Sequence, residues 1–212
     1  MGTYVNPGNE AFKEINNDRY VDKTMMIDLV NQTINTSNKL TCISCPRRFG
    51  KTYIAKMLSA YYDCSCNSEA LFDDKKIAAT KLYKEHLNKY NVIRLDIACF
   101  TSLARNEGIS YQCVPMMIEE ALKADLIRSG FELLGNESLE DALIRIANKP
   151  KEKKFVFIID EYDSVIREAK NDPEAQKRFL CLLRVWFKSI SFTPVAVAVA
   201  YMTGHLADQE GL

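Results

Sequence analysis

The octapeptide Cys45-Pro-Arg-Arg-Phe-Gly-Lys-Thr52 constrains this chain more than any other stretch. Gly50, Lys51 and Thr52 close the phosphate-loop pattern GxxxxGK[ST] at the right spacing, with Cys45 in place of the first glycine. Such a loop must follow a strand and open a helix. Lys39 to Ser44 is a short run rich in β-branched and apolar residues, as a strand requires. Beyond the loop, Ile54, Leu58, Tyr61 and Tyr62 recur at helical spacing with Ala55 and Met57 beside them, predicting a helix of about three turns from near Lys51. In that geometry the loop N–H groups and the positive helix end converge on one point, where polyphosphate oxygens are stabilised. Lys51 adds a cation that can reach the β- and γ-phosphates, and Thr52 a hydroxyl suited to Mg²⁺. Arg47 and Arg48, on the outer arc, face either phosphate or solvent.

A second feature completes the pattern. Phe155 to Ile159 is a continuous apolar run, the mark of a strand covered on both faces, and it ends in Asp160-Glu161. An acid at the tip of a neighbouring strand can hold magnesium, and a second can take a proton from the attacking water. Asp160 fits the first role and Glu161 the second, at the carboxyl end of a strand where open α/β sheets present their ligands. Asp163 either joins the magnesium shell or caps the next helix. Thr203 ends a later apolar strand, Pro194 to Met202, and either contacts the γ-phosphate or simply closes the strand.

Between these landmarks, strands and helices alternate, which indicates a mostly parallel sheet. Val92 to Ile97 reads as a strand. Helices are expected after Asp22 and Thr24 (Met26, Leu29, Val30 and Ile34 on one side), over Ala78 to Tyr90, and from Pro115 to Gly130 with Ile118, Leu122 and Leu126 inward. Two more are expected: one behind the capping box Ser138-Leu-Glu-Asp141, and one from Asp172-Pro173 bearing Phe179, Leu182, Leu183, Trp186 and Ile190. Ala11, Phe12 and Ile15 suit a short helical turn, and His86 a half-buried helix position.

Charge excludes little: 28 Lys and Arg balance 28 Asp and Glu, giving no general pull toward nucleic acid or anionic membrane. The lysines at 149, 151, 153 and 154 read as a solvated turn. No stretch joins a basic start to an apolar run, and the uncharged segment from Ser189 to Ala207 is too polar to cross a bilayer, so it is read as a buried strand. Seven cysteines, an odd number without a secretion signal, point to the cytoplasm. Cys42 and Cys45 with Cys64 and Cys66 could be arranged as a zinc site. The reading preferred is buried reduced thiols.

The assembled residues resemble the AAA-ATPase-like family of bacterial and archaeal proteins. The resemblance is carried by Phe12-Lys-Glu-Ile15, Tyr20-Val-Asp-Lys-Thr24, Pro46-Arg-Arg-Phe-Gly-Lys-Thr52, Phe157-Ile-Ile-Asp-Glu-Tyr-Asp163 and Tyr201-Met-Thr-Gly204. It implies an α/β P-loop NTPase, a three-layer sandwich whose sheet order is 5-1-4-3-2. Only strands one to four are found here, so the last strand and lid are expected to be missing and the loop strand to lie at an edge. The implied division is a helical segment at 1–38, the ATPase core at 39–204 and a divergent tail at 205–212.

The expected function is binding and hydrolysis of Mg·ATP as the ATPase part of a larger protein. Alternatives are a nucleotide-dependent switch with little turnover and a non-catalytic interaction module. Pro46, Arg47, Arg48, Phe49, Gly50, Lys51, Thr52, Tyr53 and Thr203 form the expected ATP-binding set, Thr52 and Asp160 the magnesium ligands, and Lys51 and Glu161 the catalytic pair. By the same resemblance, Asp22 to Thr24 approach the nucleotide, and a second copy or a partner domain completes the site. Nucleic acid is a partner by family analogy only, and no membrane contact is expected.

Overall fold

The computed structural model describes residues 2–16, 20–44, 46, 48–149 and 153–205. Its strands are β1 (Leu40–Ser44), β2 (Asn91–Asp96), β3 (Phe155–Asp160) and β4 (Val197–Gly204). All pair in parallel, in the order β1-β4-β3-β2. That is the expected order without its outermost member, and among the described residues β1 is an edge. The parallel arrangement brings every carboxyl end to one border of the sheet. There Ser44 stands opposite Gly204, and Asp96 opposite Asp160.

Strand side chains alternate between faces, so the apolar run of β3 feeds two cores. Phe155, Phe157 and Ile159 join Ile93 and Leu95 on one face; Val156 and Ile158 join Val92 on the other. The second face is covered by α1 (Glu10–Asn16), α2 (Met25–Asn31), α3 (Lys51–Tyr62), α4 (Glu69–Phe72) and α5 (Tyr83–His86). The first is covered by α6 (Ile97–Glu107), α7 (Val114–Arg128), α8 (Leu139–Ala147), α9 (Ser164–Glu168), α10 (Pro173–Lys188) and α11 (Thr193–Ala196). The result is a three-layer α/β sandwich with an all-parallel sheet.

Several boundaries follow the sequence signals. Pro115 lies in the first turn of α7, with Ile118, Leu122 and Leu126 fully buried. The Ser138 side chain accepts from the Asp141 N–H at 3.1 Å and opens α8. Phe12 and Ile15 are the buried residues of α1.

Other expectations need correction. Ala78 to Tyr90 is not one helix: the 3-10 turn Lys76–Ala79 and the single turn α5 are separated by Thr80, whose hydroxyl donates to the Ile77 carbonyl. Asn88, at φ 54°, ends the second turn with its amide bonded to the Ala60 and Asp63 carbonyls. Short polar side chains have here outcompeted the helix for backbone groups. Ile97 belongs not to β2 but to α6, a helix the sequence reading did not anticipate; the Asp96 side chain caps it by accepting from the Ala98 N–H at 3.0 Å.

In α2 the inward stripe is Ile27 and Val30, with Leu29 facing solvent. Helix α10 stops at Lys188, leaving Ile190 96% exposed, because Ser189 turns extended and its hydroxyl accepts from the N–H groups of Ser191 and Phe192. Thr193–Ala196 forms a helical turn, so the last strand starts at Val197 and not at Pro194 or earlier. The described cysteines are not buried: Cys42, Cys99 and Cys181 are exposed, and Cys64, Cys66 and Cys113 half-buried. Cys42 is exposed because alternate residues of the edge strand β1 point to an uncovered side; Cys45 lies outside the described residues. Lys154 donates to the Pro194 carbonyl at 2.8 Å, so that part of the expected solvated turn is anchored.

Candidate functional site

The loop leaves β1 at the carboxyl border and turns into α3 at Gly50, which has φ 79°, a left-handed conformation open to glycine without strain. Phe49 and Tyr53 are exposed on either side, and Arg48 sits at φ 67°. Lys51, 8% exposed, bends back over the loop, its ammonium donating to the Pro46 carbonyl at 3.1 Å. Arg47 lies outside the described residues. A cleft of ≈ 480 Å³ opens here, lined by Arg48, Gly50, Lys51, Thr52, Tyr53, Glu161 and His205.

The two acids meet different surroundings. Asp160, 4% exposed, accepts at Oδ1 from the Thr203 hydroxyl and from the Glu161 N–H. Thr203 is fully buried, and its hydroxyl is directed to that carboxylate. Thr52 and Asp160 border one small hollow of ≈ 90 Å³, together with Arg94 and Asp96. A hydroxyl and a carboxylate are hard oxygen donors, so this set fits Mg²⁺, which keeps several waters and takes few protein ligands. Burial and the neighbouring Asp160 charge push the Asp96 carboxyl above the usual range, as befits two acids at one strand register.

Glu161 follows with φ 50°, a left-handed backbone uncommon outside glycine. Its Oε2 accepts from Arg167 at 2.8 Å and its Oε1 contacts the His205 ring at 3.1 Å. Burial alone would raise its carboxyl, but the hydrogen bond and charge of Arg167, with the hydrogen bond from the His205 ring, outweigh this and hold it below the ordinary range. Asp163 begins α9 without a side-chain cap and instead pairs with Arg167 at 2.8 Å, because the same guanidinium gathers both acids. The helix-cap expectation for Asp163 is thus corrected. Gly204 needs to be glycine: a Cβ there would lie 2.7 Å from the Tyr162 ring and 2.9 Å from Asp163.

Of the Tyr20 to Thr24 segment, Lys23 reaches the loop and donates to the Phe49 carbonyl at 2.8 Å. Asp22 and Thr24 turn away, accepting from the N–H groups of Lys76 and Ile77. Beside the first cleft, a second hollow of ≈ 360 Å³ has the walls Ile15, Tyr20, Val21, Tyr53, Ile54 and Met57. The two hollows share Arg48, Gly50 and Tyr53, so they are parts of one groove. Sequence reasoning missed His205 and Arg167. Neither lies in a motif, and only the fold brings them to Glu161.

Strand, glycine-lysine-threonine turn and helix, with an acid-tipped strand two positions away across the sheet, define a P-loop NTPase domain. Residues 7–207 match the AAA-ATPase-like family model, described as predicted AAA-ATPase, and the chain belongs to that family. No curated protein matches the chain. A solved structure of PCH-2 from C. elegans shows a distant likeness, with a TM-score of 0.35 and 15% identity, covering 94% of this chain and 36% of the other. The chain therefore spans little more than a third of that protein. No helix among the described residues is long and apolar enough to cross a membrane.

Proposed function

We propose that this chain binds Mg·ATP in the groove over α3 and hydrolyses it to ADP and phosphate as the ATPase part of a larger protein. The observation that carries the reading is the convergence of Lys51, Thr52 and Glu161 on one cleft, with Asp160 sharing the adjacent hollow with Thr52. Lys51 and the loop N–H groups hold the phosphate oxygens; Pro46, Arg48 and Phe49 shape the loop around them. The apolar hollow beside Tyr20 and Tyr53 takes the base, and Lys23 braces the loop from that side. Thr52 and Asp160 hold Mg²⁺, which when bound neutralises phosphate charge. Thr203 orients Asp160 through its hydroxyl. Glu161 takes the proton of the attacking water.

One observation favours the switch alternative as a second reading. Both carboxylate oxygens of Glu161 are engaged, by Arg167 and His205, and a base so held turns over slowly until released. Retention of nucleotide over many minutes with little phosphate release would mark the switch.

Thermal unfolding tests the binding claim. Mg·ATP at about a hundred times its dissociation constant should stabilise the chain by about 2.7 kcal/mol, raising Tm by about 5–10 °C for a domain of this size. Lys51→Ala should abolish the shift. A cooperative transition that nucleotide leaves unmoved would reject the site.

A further inference from the structure

His205 follows the last strand directly, and its ring lies between the two residues assigned to the chemistry. Nδ1 is 3.2 Å from the Lys51 ammonium and Nε2 is 3.1 Å from Glu161 Oε1, with the side chain 12% exposed. The two contacts fix the proton pattern. An ammonium only donates and a carboxylate only accepts, so a neutral ring protonated at Nε2 satisfies both at once. The approach is set by the fold: Gly204 pairs in register with Ser44 at the loop's root, and the Tyr162 ring packs against the bare Gly204 backbone.

We propose that His205 is an internal competitor of the nucleotide, a positioning residue that ties Lys51 to Glu161 and is displaced by the incoming phosphate. The inference rests on the reading of the cleft as a phosphate site. A phosphate oxygen is a charged acceptor and takes the ammonium more strongly than a neutral ring nitrogen does. Once Lys51 turns to phosphate, the ring loses the donor that orients it, and Glu161 Oε1 is released toward water. Nucleotide binding and release of the base are thereby one event, and Arg167 remains to hold the other oxygen of Glu161.

The test combines a variant with a spectroscopic signature. His205→Ala should bind Mg·ATP roughly tenfold more tightly than the native chain, the scale of one hydrogen bond to a charged group. The gain should appear in KM more than in kcat. The chain has two histidines, and His86 sits apart with Nδ1 2.8 Å from the Tyr90 hydroxyl, so ¹⁵N imidazole spectra resolve both. In the nucleotide-free native chain His205 should be the Nε2–H tautomer with Nδ1 accepting; Mg·ATP should shift its signals and leave those of His86 in place. Binding that is unchanged or weaker in His205→Ala, or His205 signals indifferent to nucleotide, would overturn the proposal while leaving the nucleotide site standing. Absence of binding in both proteins would remove the site itself and the competitor with it. Should the variant fail to fold, the spectra of the native chain decide alone.

Discussion

Glu161→Gln should lower ATP turnover by about 10²–10⁴-fold, the usual worth of a positioned general base. The amide keeps the shape of the side chain and can still occupy the turn at φ 50°, but it cannot accept the proton of water. Affinity for Mg·ATP should change by only a few-fold, because the proposed phosphate contacts come from Lys51 and the loop. Steady-state phosphate release and nucleotide titration on the same preparation separate these two quantities. Turnover within a few-fold of the native chain would remove Glu161 from the chemistry and move attention to another acid, with Asp163 the nearest on Arg167.

Phe157→Ala should cost about 3–5 kcal/mol of folding stability. Phe157 is fully buried in the middle of β3, with ring centroids 5.5 Å from both Trp186 and Phe187 and 6.3 Å from Phe192. These partners come from the end of α10 and the turn after it, so truncation empties the joint between the sheet and its helical layer. Against a total of about 5–15 kcal/mol for a typical domain, the loss is large. Urea unfolding should show a lower midpoint with the slope unchanged. A midpoint shift of less than about 1 kcal/mol would mean that this aromatic cluster is not the keystone of the first core.

How much of this was legible beforehand depends on the range of the interactions involved. Local signals read well: the Pro115 helix start, the Ser138 cap and the uninterrupted apolar run of β3 each depend on neighbours within a few residues. Sheet order was also within reach, since the loop motif and the acid-tipped strand fix the sheet's border and the family resemblance fixes the rest. Failures cluster where a side chain competes with the backbone. Thr80, Asn88 and Ser189 each break a helical pattern by hydrogen bonds that periodicity does not register. Helix α6 was missed although Asp96 and Gly108 bracket it, because its inward face is only Phe100, Thr101 and Ala104 after the first residue. The loop residues and the acids stand at the sheet border that the motifs indicate, whereas the contacts made there by His205, 154 positions from Lys51, and by Arg167 have no sequence signal. Their roles arise from contacts between elements, and a single sequence carries no mark of them.

Calorimetric titration of the chain with Mg·ATP decides whether the groove over α3 is a nucleotide site. Saturable binding with one nucleotide per chain is the expected result. A flat trace at millimolar nucleotide, from a chain shown to unfold cooperatively, would contradict it.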